Sequence, residues 1–388
     1  MRSLNASVSP LLLNAIGELA EKEGISFQKL ARAVAELSLL FTKKRAAIRR
    51  SYLEEPVLAS AYLQYFLPVN LSKIQALLNE MPALEVEERF SVLDLGSGPG
   101  TGALAVLDWW HQRGATGALS IVAVDSSSMA QRQAKQLWDH YCRIASIAEA
   151  NLRTYESDIE RHAWLEQAGK GALFDLIIVA NSLNEMYVDA KDPITARASF
   201  MTEVLSLLAP HGTLMIVEPA LRETSRALHQ VRDRLLEEKH CTVYSPCLHE
   251  ERCPALVNPD DWCHEERAWV PPVWIQEIDR EVGFIKDALK FSYLLLRTDG
   301  RTIAKRSSDT FRVVSELRKL KGDTRAWLCN EQGRSEVARL DRACSAANAA
   351  WDHCQRGTIV RIEGMTRKDG AALVRIPAEA TVKIVRPV

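Results

Sequence analysis

The sequence contains no run approaching the ~20 apolar residues that a membrane span needs. It also has no internal repeat and no low-complexity segment. A bundle of membrane helices, a repeat array and a collagen-like chain are therefore set aside. Charge of one sign is missing overall, with a net of −1 across 388 residues. Apolar residues at 47% and charged residues at 26% are ordinary for a globular chain and leave no case for disorder. A secretory lead is lacking too: Leu11–Leu13 is short, follows Asn5, Ser7, Ser9 and Pro10, and has only Arg2 before it. The expectation is a cytoplasmic protein of two or three domains. In such a reducing compartment its eight cysteines point to metal binding or chemistry rather than disulfides.

What is present is unevenly placed. Residues 297–388 carry 19 Lys and Arg against 11 Asp and Glu, a net of +8, and the rest of the chain carries 30 against 39. A basic tail on an acidic body hints at a polyanion such as RNA, with a solvated basic surface as the plain alternative. Lys43-Lys44-Arg45-Ala46-Ala47-Ile48-Arg49-Arg50 puts five cations in eight residues, which suits phosphate clamping or an exposed helix face.

The apolar spacing divides the chain into five segments. Residues 1–88 read as helical, from Leu30, Val34, Leu37 and Phe41 and from Leu58, Ala61, Tyr62, Tyr65 and Phe66, the second run ending at Pro68. Residues 89–240 alternate strands (Ser91–Leu95, Leu119–Val124, Phe174–Ala180, Thr213–Val217) with helices (Thr101–Trp110, Met129–Tyr141 and 221–240). That alternation, with continuously apolar strands, predicts an α/β fold built on a parallel sheet covered on both faces. Residues 241–290 form a Cys-rich insertion, and 291–335 hold a return strand at Phe291–Leu296 and a further cysteine. Residues 336–388 form a basic helix and small β unit with strands at Thr358–Ile362, Ala372–Ile376 and Thr381–Val385, the first two joined by a Lys368-Asp369-Gly370 hairpin. Cys344 and Cys354 read as ordinary residues of that helix, and Cys142 as core.

The most informative local motif is Val92-Leu93-Asp94-Leu95-Gly96-Ser97-Gly98-Pro99-Gly100-Thr101-Gly102, a strand entering a glycine loop and then a helix. Glycines allow a sharp turn and close approach of a ligand, and the helix N-terminus offers free N–H groups. The dinucleotide fingerprint G-x-G-x-x-G fails here because Thr101 occupies its third glycine position. Asp94 would repel a pyrophosphate and suit a ligand carrying an amino group. The motif resembles the first motif of S-adenosylmethionine-dependent methyltransferases with the seven-stranded Rossmann-like sheet. That resemblance implies that Asp94, Gly96, Ser97, Gly98 and Gly100 face the methionine part of the cofactor. It implies that Asp125 accepts the ribose hydroxyls and that Asp158 meets the adenine. It puts Asn181-Ser182-Leu183-Asn184-Glu185-Met186 near the transferred methyl. No catalytic residue is identified: the loop lacks the Asn-Pro-Pro-Tyr type of motif, and no cysteine nucleophile stands at a strand end.

The second constellation is Cys247, Cys253 and Cys263, set among prolines and polar residues. Three thiolates on one loop would repel unless a metal or cluster neutralised them. Cys329 is the chosen fourth ligand because it ties the C-terminal region to the insertion, with His249, His264 and Cys241 as rivals. Zinc and a [4Fe–4S] cluster both accept four thiolates; the loose spacing favours the cluster over zinc.

Together the two motifs resemble the methyltransferase-like proteins associated with the small ribosomal subunit, known from mitochondria and with bacterial relatives. The pieces that carry this are Ala61-Tyr62-Leu63 with Leu67-Pro68, Asp94–Gly100, Glu218-Pro219, Ser245-Pro246-Cys247-Leu248-His249-Glu250, Cys253-Pro254, Cys263, Lys290–Leu294, and Cys329 with Gly333. Leu248 stands where the mitochondrial relatives would have proline. The resemblance implies a factor that acts on or assembles the small ribosomal subunit through its rRNA, with an S-adenosylmethionine site and a cluster held by Cys247, Cys253, Cys263 and Cys329. Nothing in the sequence sets an oligomeric state, and a monomer is the default.

Overall fold

A computed structural model describes residues 7–45, 52–83, 89–168, 171–367 and 372–388. Residues 46–50 of the basic run and the Lys368-Asp369-Gly370 turn lie outside the described residues. Four helices lead: α1 (Pro10–Glu23), α2 (Phe27–Thr42), α3 (Pro56–Ala61) and α4 (Leu67–Leu78). Strands and helices then alternate as β1 (Arg89–Leu95), α5 (Thr101–Gln112), β2 (Ala118–Asp125), α6 (Ser128–Ile144), β3 (Ala150–Glu156), α7 (Trp164–Ala168), β4 (Phe174–Ala180), α8 (Pro193–Leu205), β5 (Leu208–Pro219) and α9 (Arg222–Glu237). Next come β6 (Thr242–Ser245), β7 (Glu265–Ala268), α10 (Val273–Val282) and β8 (Ala288–Arg297). The rest is strand-rich: β9 (Thr310–Val313), β10 (Arg318–Leu320), β11 (Asp323–Asn330), β12 (Gly333–Leu340), β13 (Ile359–Glu363), β14 (Thr366–Arg367), β15 (Val374–Arg375) and β16 (Thr381–Arg386). No described helix is long and apolar enough to cross a membrane.

The chain divides into two compact units, each drawn from separate stretches. The first comprises Met1–Asp189, Ser206–Val217 and Ala268–Leu289. Its strands run parallel in the order β3-β2-β1-β4-β5. Val92, Leu93, Ile121, Val124, Ile177 and Val179 are buried, as expected for strands covered on both faces. The order reverses direction at β1, with β2 on one side and β4 on the other, so the loop leaving β1 opens at a topological switch point. Ligands of open α/β sheets bind there.

One buried carboxylate joins several helices of the helical region to the helices that cover this sheet. Asp108 on α5 is fully buried. It accepts from the Ser9 N–H (2.9 Å), Gln75 (2.6 Å), Gln112 (2.9 Å) and the Tyr141 hydroxyl (2.5 Å). One anion thereby joins the start of α1 to α4, α5 and α6. Pro68 does not end the second helical run. Residues Tyr62–Phe66 widen into a π-helical turn, and Pro68 falls in the first turn of α4, where a missing N–H costs nothing.

The second unit comprises Ala190–Leu205, Glu218–Arg267 and Lys290–Val388. The return strand forms as β8 and pairs antiparallel with β6. The tail corrects the sequence reading. The expected three-strand unit is part of a larger sheet ordered β14-β15-β12-β11-β9-β13-β16, with β10 beside β11. Its core includes Phe311, Val313, Leu328, Val337, Trp351, Val360 and Ile362. The earlier strands were hidden by arginines that read as surface but are bonded internally. Arg339 is nearly buried and reaches Asp352 at 2.6 Å, and Arg325 reaches Asp323 at 2.7 Å.

The stretch holding Cys344 and Cys354 is not a helix but two short 3-10 turns, Asp341–Ala343 and Ala349–His353. The fully buried Asn348 side chain accepts from the Ser345 N–H (3.0 Å) and donates to Ala343 O (2.9 Å) and Pro377 O (3.1 Å), replacing helical bonds. Cys354 lies in the sheet core, while Cys344 is exposed.

Asp108→Ala would strand several buried donors, so it is expected to destabilise the protein by about 3 kcal/mol in urea unfolding. A loss below ~1 kcal/mol would show that the helical region does not depend on this anion.

Candidate functional site

In the first unit the candidate site is built at the carboxyl ends of the parallel strands. Gly96, Gly98 and Gly100 all have positive φ (69°, 51° and 83°), a conformation that favours glycine. A Cβ on Gly96 would stand 2.5 Å from the Ser182 Cβ, so this glycine also lets the loop after β4 close against the loop after β1. The Gly96 and Ser97 N–H groups donate to Val124 O at 2.9 and 3.1 Å, which ties the glycine loop to the end of β2.

Asp125 accepts from the Gly98 N–H (2.7 Å) and the Ser127 N–H (2.8 Å). Burial still holds its carboxyl above the ordinary range, against those bonds. Asp94 is nearly sealed and accepts from the Ala103 N–H at 2.9 Å, bracing the start of α5. Burial pushes it up to about 7, with the nearby Asp125 charge adding to the rise. The Ser97 hydroxyl is buried without a hydrogen-bond partner among the described residues.

Ser182 Oγ donates to Leu95 O (3.2 Å), which fixes the loop carrying Asn181 beside the glycine loop. Asn181 has φ 58°, and its N–H donates to Val217 O at 2.7 Å. Asp158 caps the 3-10 turn Ile159–Arg161 by accepting the Glu160 N–H (3.0 Å). Ile159 of that turn lies 3.8 Å from where a Gly96 Cβ would be. Asp94 and Asp125, at the ends of β1 and β2, and Gly96–Gly100, Asp158 and Asn181, in the loops that follow β1, β3 and β4, therefore all lie at one end of the sheet.

Sequence reasoning missed the helical region's share of this end. The turn Tyr52–Glu54 carries Glu54, which accepts from the Ser127 hydroxyl (2.6 Å) and holds the start of α6. Tyr52 and Tyr62 both feel the charges of Asp125 and Glu185, and burial raises both phenols, Tyr62 to about 12. Arg45 donates to Asn184 in the loop after β4. The available signal was the Ala61-Tyr62-Leu63 run, which the spacing reads as helix and which carries part of the family resemblance, without pointing to this end of the sheet.

In the second unit Cys247, Cys253, Cys263 and Cys329 line one cavity of about 40 Å³, together with His249, His264, Arg312, Arg334 and Arg356. All eight cysteines are free thiols. Cys247 follows β6 and Cys329 stands on β11, so strands from two ends of the unit deliver the set. Burial raises the Cys247, Cys253 and Cys329 thiols, and the other three thiols raise Cys329 further. Cys329 Sγ is 3.6 Å from His249 Nε2. Burial and the Arg232 charge lower His249 to about 4, so its ring is neutral at pH 7. Among the described residues no three His, Cys, Asp or Glu side chains are grouped as a single metal ion would need. Cys241, one rival ligand, is buried and does not line the cavity; the other two, His249 and His264, do.

Residues 56–342 match the family described as "Mitochondrial small ribosomal subunit Rsm22". No curated protein matches the chain. Among solved structures it is similar to the CurJ carbon methyltransferase, at 17% identity and TM-score 0.36, over 70% of this chain and 66% of that one. It is similar to the small RNA methyltransferase HEN1 at 14% identity and TM-score 0.36, over 62% and 26% of the two chains. A magnesium protoporphyrin IX methyltransferase from Synechocystis PCC 6803 with bound SAM follows at 12% identity and TM-score 0.31, over 68% and 97%. Scores of this size leave the fold to be judged on the strand order itself.

Asp94 yields a pH prediction. Its folded pKa is raised, so its contribution to stability is complete below about pH 4 and declines as pH climbs through about 7. Asp94→Asn keeps an acceptor for the Ala103 N–H and cannot ionise. Its stability relative to wild type is expected to rise by on the order of 1 kcal/mol between pH 5 and pH 8 in paired thermal melts. Parallel pH profiles for the two proteins would remove the buried-acid reading.

Proposed function

The chain belongs to the Rsm22 family, and from that premise we propose a methyltransferase-like factor that works on the small ribosomal subunit through its rRNA. The observation that carries the cofactor half is the glycine loop, whose N–H at Gly98 is bonded to the acid at the end of β2. S-adenosylmethionine suits this set of groups. The buried Ser97 hydroxyl without a partner offers a polar group beside the loop, and the Cβ position of Gly98 meets nothing nearer than Leu53 Cδ1 at 3.9 Å. Asp125 and Ser97 would hold the nucleoside and methionine parts, and Asp158 and Asn181 would flank them. The cofactor supplies an electrophilic methyl group on a sulfonium, so the protein's task is to align an acceptor and exclude water.

A second reading is a factor that binds cofactor and RNA without turnover. It is favoured by the loop after β4, where Asn184 is engaged by Arg45 and by Asn181 O (3.1 Å). A third, methyl transfer to a protein or small molecule, would leave the basic tail without a role.

For the second unit the reading is a [4Fe–4S] cluster held by Cys247, Cys253, Cys263 and Cys329. It is supported by four thiols lining a single cavity that exceeds the space of one water-sized atom. A lone zinc needs its sulfurs converged at about 2.3 Å from one point, and the described side chains offer no such grouping. Bound there, a cluster would staple the cysteine-rich loop to β11.

Four experiments test these readings. Label transfer from S-adenosylmethionine to small subunits, with Asp125→Ala as control, separates the enzyme from the non-catalytic factor. Asp125→Ala is expected to weaken calorimetric cofactor binding at least ~10-fold, through loss of about 1.4 kcal/mol or more. The protein should also co-sediment with small subunits and leave them as salt rises. Recovery only at the top of a low-salt gradient would end both ribosomal readings. Anaerobically purified protein should be brown, with iron and acid-labile sulfide. A colourless protein carrying a single zinc would replace the cluster.

A further inference from the structure

We propose that Arg232 and Arg356 are positioning residues that frame the four-thiol cavity for an anionic occupant, Arg232 by holding the ligand loop and Arg356 by supplying countercharge. This rests on the cluster reading given above.

Arg232 comes from α9, outside the cysteine loop, and is fully buried. It donates through Nη2 to His249 O (2.7 Å) and through Nη1 to Glu251 O (2.9 Å), both carbonyls lying between Cys247 and Cys253 in sequence. The same Nη1 meets Asp233 at 2.5 Å. The Asp233 carboxylate in turn accepts the Cys253 N–H, at 3.0 Å to Oδ2. One Arg–Asp pair on one helix thus grips the backbone of the loop at three points. A lysine could keep the charge but not the planar fork that reaches two carbonyls.

Arg356 approaches from the tail and lines the cavity itself. Its Nη1 donates to His264 O (3.2 Å), next to Cys263, and to Val314 O (2.8 Å). Its bonds among the described residues run to carbonyls and to no carboxylate. Its Nε, like that of Arg232, is buried without a partner. A partly buried guanidinium answered only by neutral acceptors is costly unless an anion shares its surroundings. Glu265 also lines the cavity but is shared by Arg267 and Arg312, so the anion for Arg356 would be the four thiolates around a cluster. Groups behind the ligands commonly change metal affinity by about 10–100-fold, and nearby charge sets a cluster's reduction potential.

The test uses full-length protein purified anaerobically, with iron per chain, the visible absorbance band and the reduction midpoint as readouts. Arg232→Lys is expected to lower iron per chain at least twofold while far-UV circular dichroism stays at the wild-type level. Arg356→Gln is expected to keep iron but shift the midpoint negative, whereas Arg356→Lys holds it near wild type. Brown wild-type protein with iron and midpoint unchanged in Arg232→Lys and Arg356→Gln overturns the frame and leaves the cluster standing. Wild-type protein without iron overturns both. If Arg232→Lys fails to fold, the comparison of Arg356→Gln with Arg356→Lys decides the proposal alone.

Discussion

Four sulfur atoms separated by up to some eighty positions in sequence line one cavity, and their charge has to be dealt with wherever they ionise. Burial raises three of these thiols, and their mutual repulsion adds to the rise at Cys329. Holding such groups together takes rigid surroundings. Cys329 is placed by β11, which is paired with β12 along its length and with β9 near its end. Cys253 is fixed through its own N–H by Asp233. The cavity is therefore a product of the completed tail sheet and of α9, not of the cysteine loop alone.

The first unit solves a different problem, holding a tight glycine turn, its N–H groups bonded within the fold, at the point where strand order reverses. Glycines make the turn sterically possible, and the neighbouring strand's acid holds it in place: Asp125 bonds Gly98 across the gap between two strand ends. Asp94 is turned towards α5, where a Cβ on Gly102 would come within 2.6 Å of its carboxyl oxygens. The absence of a side chain at 102 is what lets this acid brace the helix.

The parts that were legible in the sequence are those where local covalent chemistry dictates the outcome. Three alternating glycines after an apolar strand can hardly do anything but turn, and Asp125 follows from the length of the next strand. The cysteine loop was legible because prolines and thiols rarely mix in core strands. What escaped depended on partners remote in sequence. Glu54 gains meaning only when Ser127 is beside it. Arg232 is one of four arginines on an amphipathic helix, and only the fold reveals that it is the one turned fully inward. Strands β9, β11 and β12 carry arginines that look like surface residues until Asp323, Asp352 and Glu265 are seen to meet them.

That pairing changes how the basic tail should be understood. Arg312, Arg325, Arg339, Arg361 and Arg375 are each set against an acid within the second unit. Among the tail's own acids, Asp299, Asp309, Asp323, Glu336 and Asp352 are paired with arginines, and the tail's lysines stand outside these pairs. Lys305, Lys319, Lys321 and Lys383 are all exposed. Lysine is a compact, strongly hydrated point charge on a flexible stem, suited to backbone phosphates rather than to the two-pronged reading of base edges. A surface of this kind binds by counterion release and carries little sequence information of its own. The acid-paired arginines of the tail core thus serve the fold, while at the surface the exposed lysines are joined by exposed Arg301, Arg342 and Arg367.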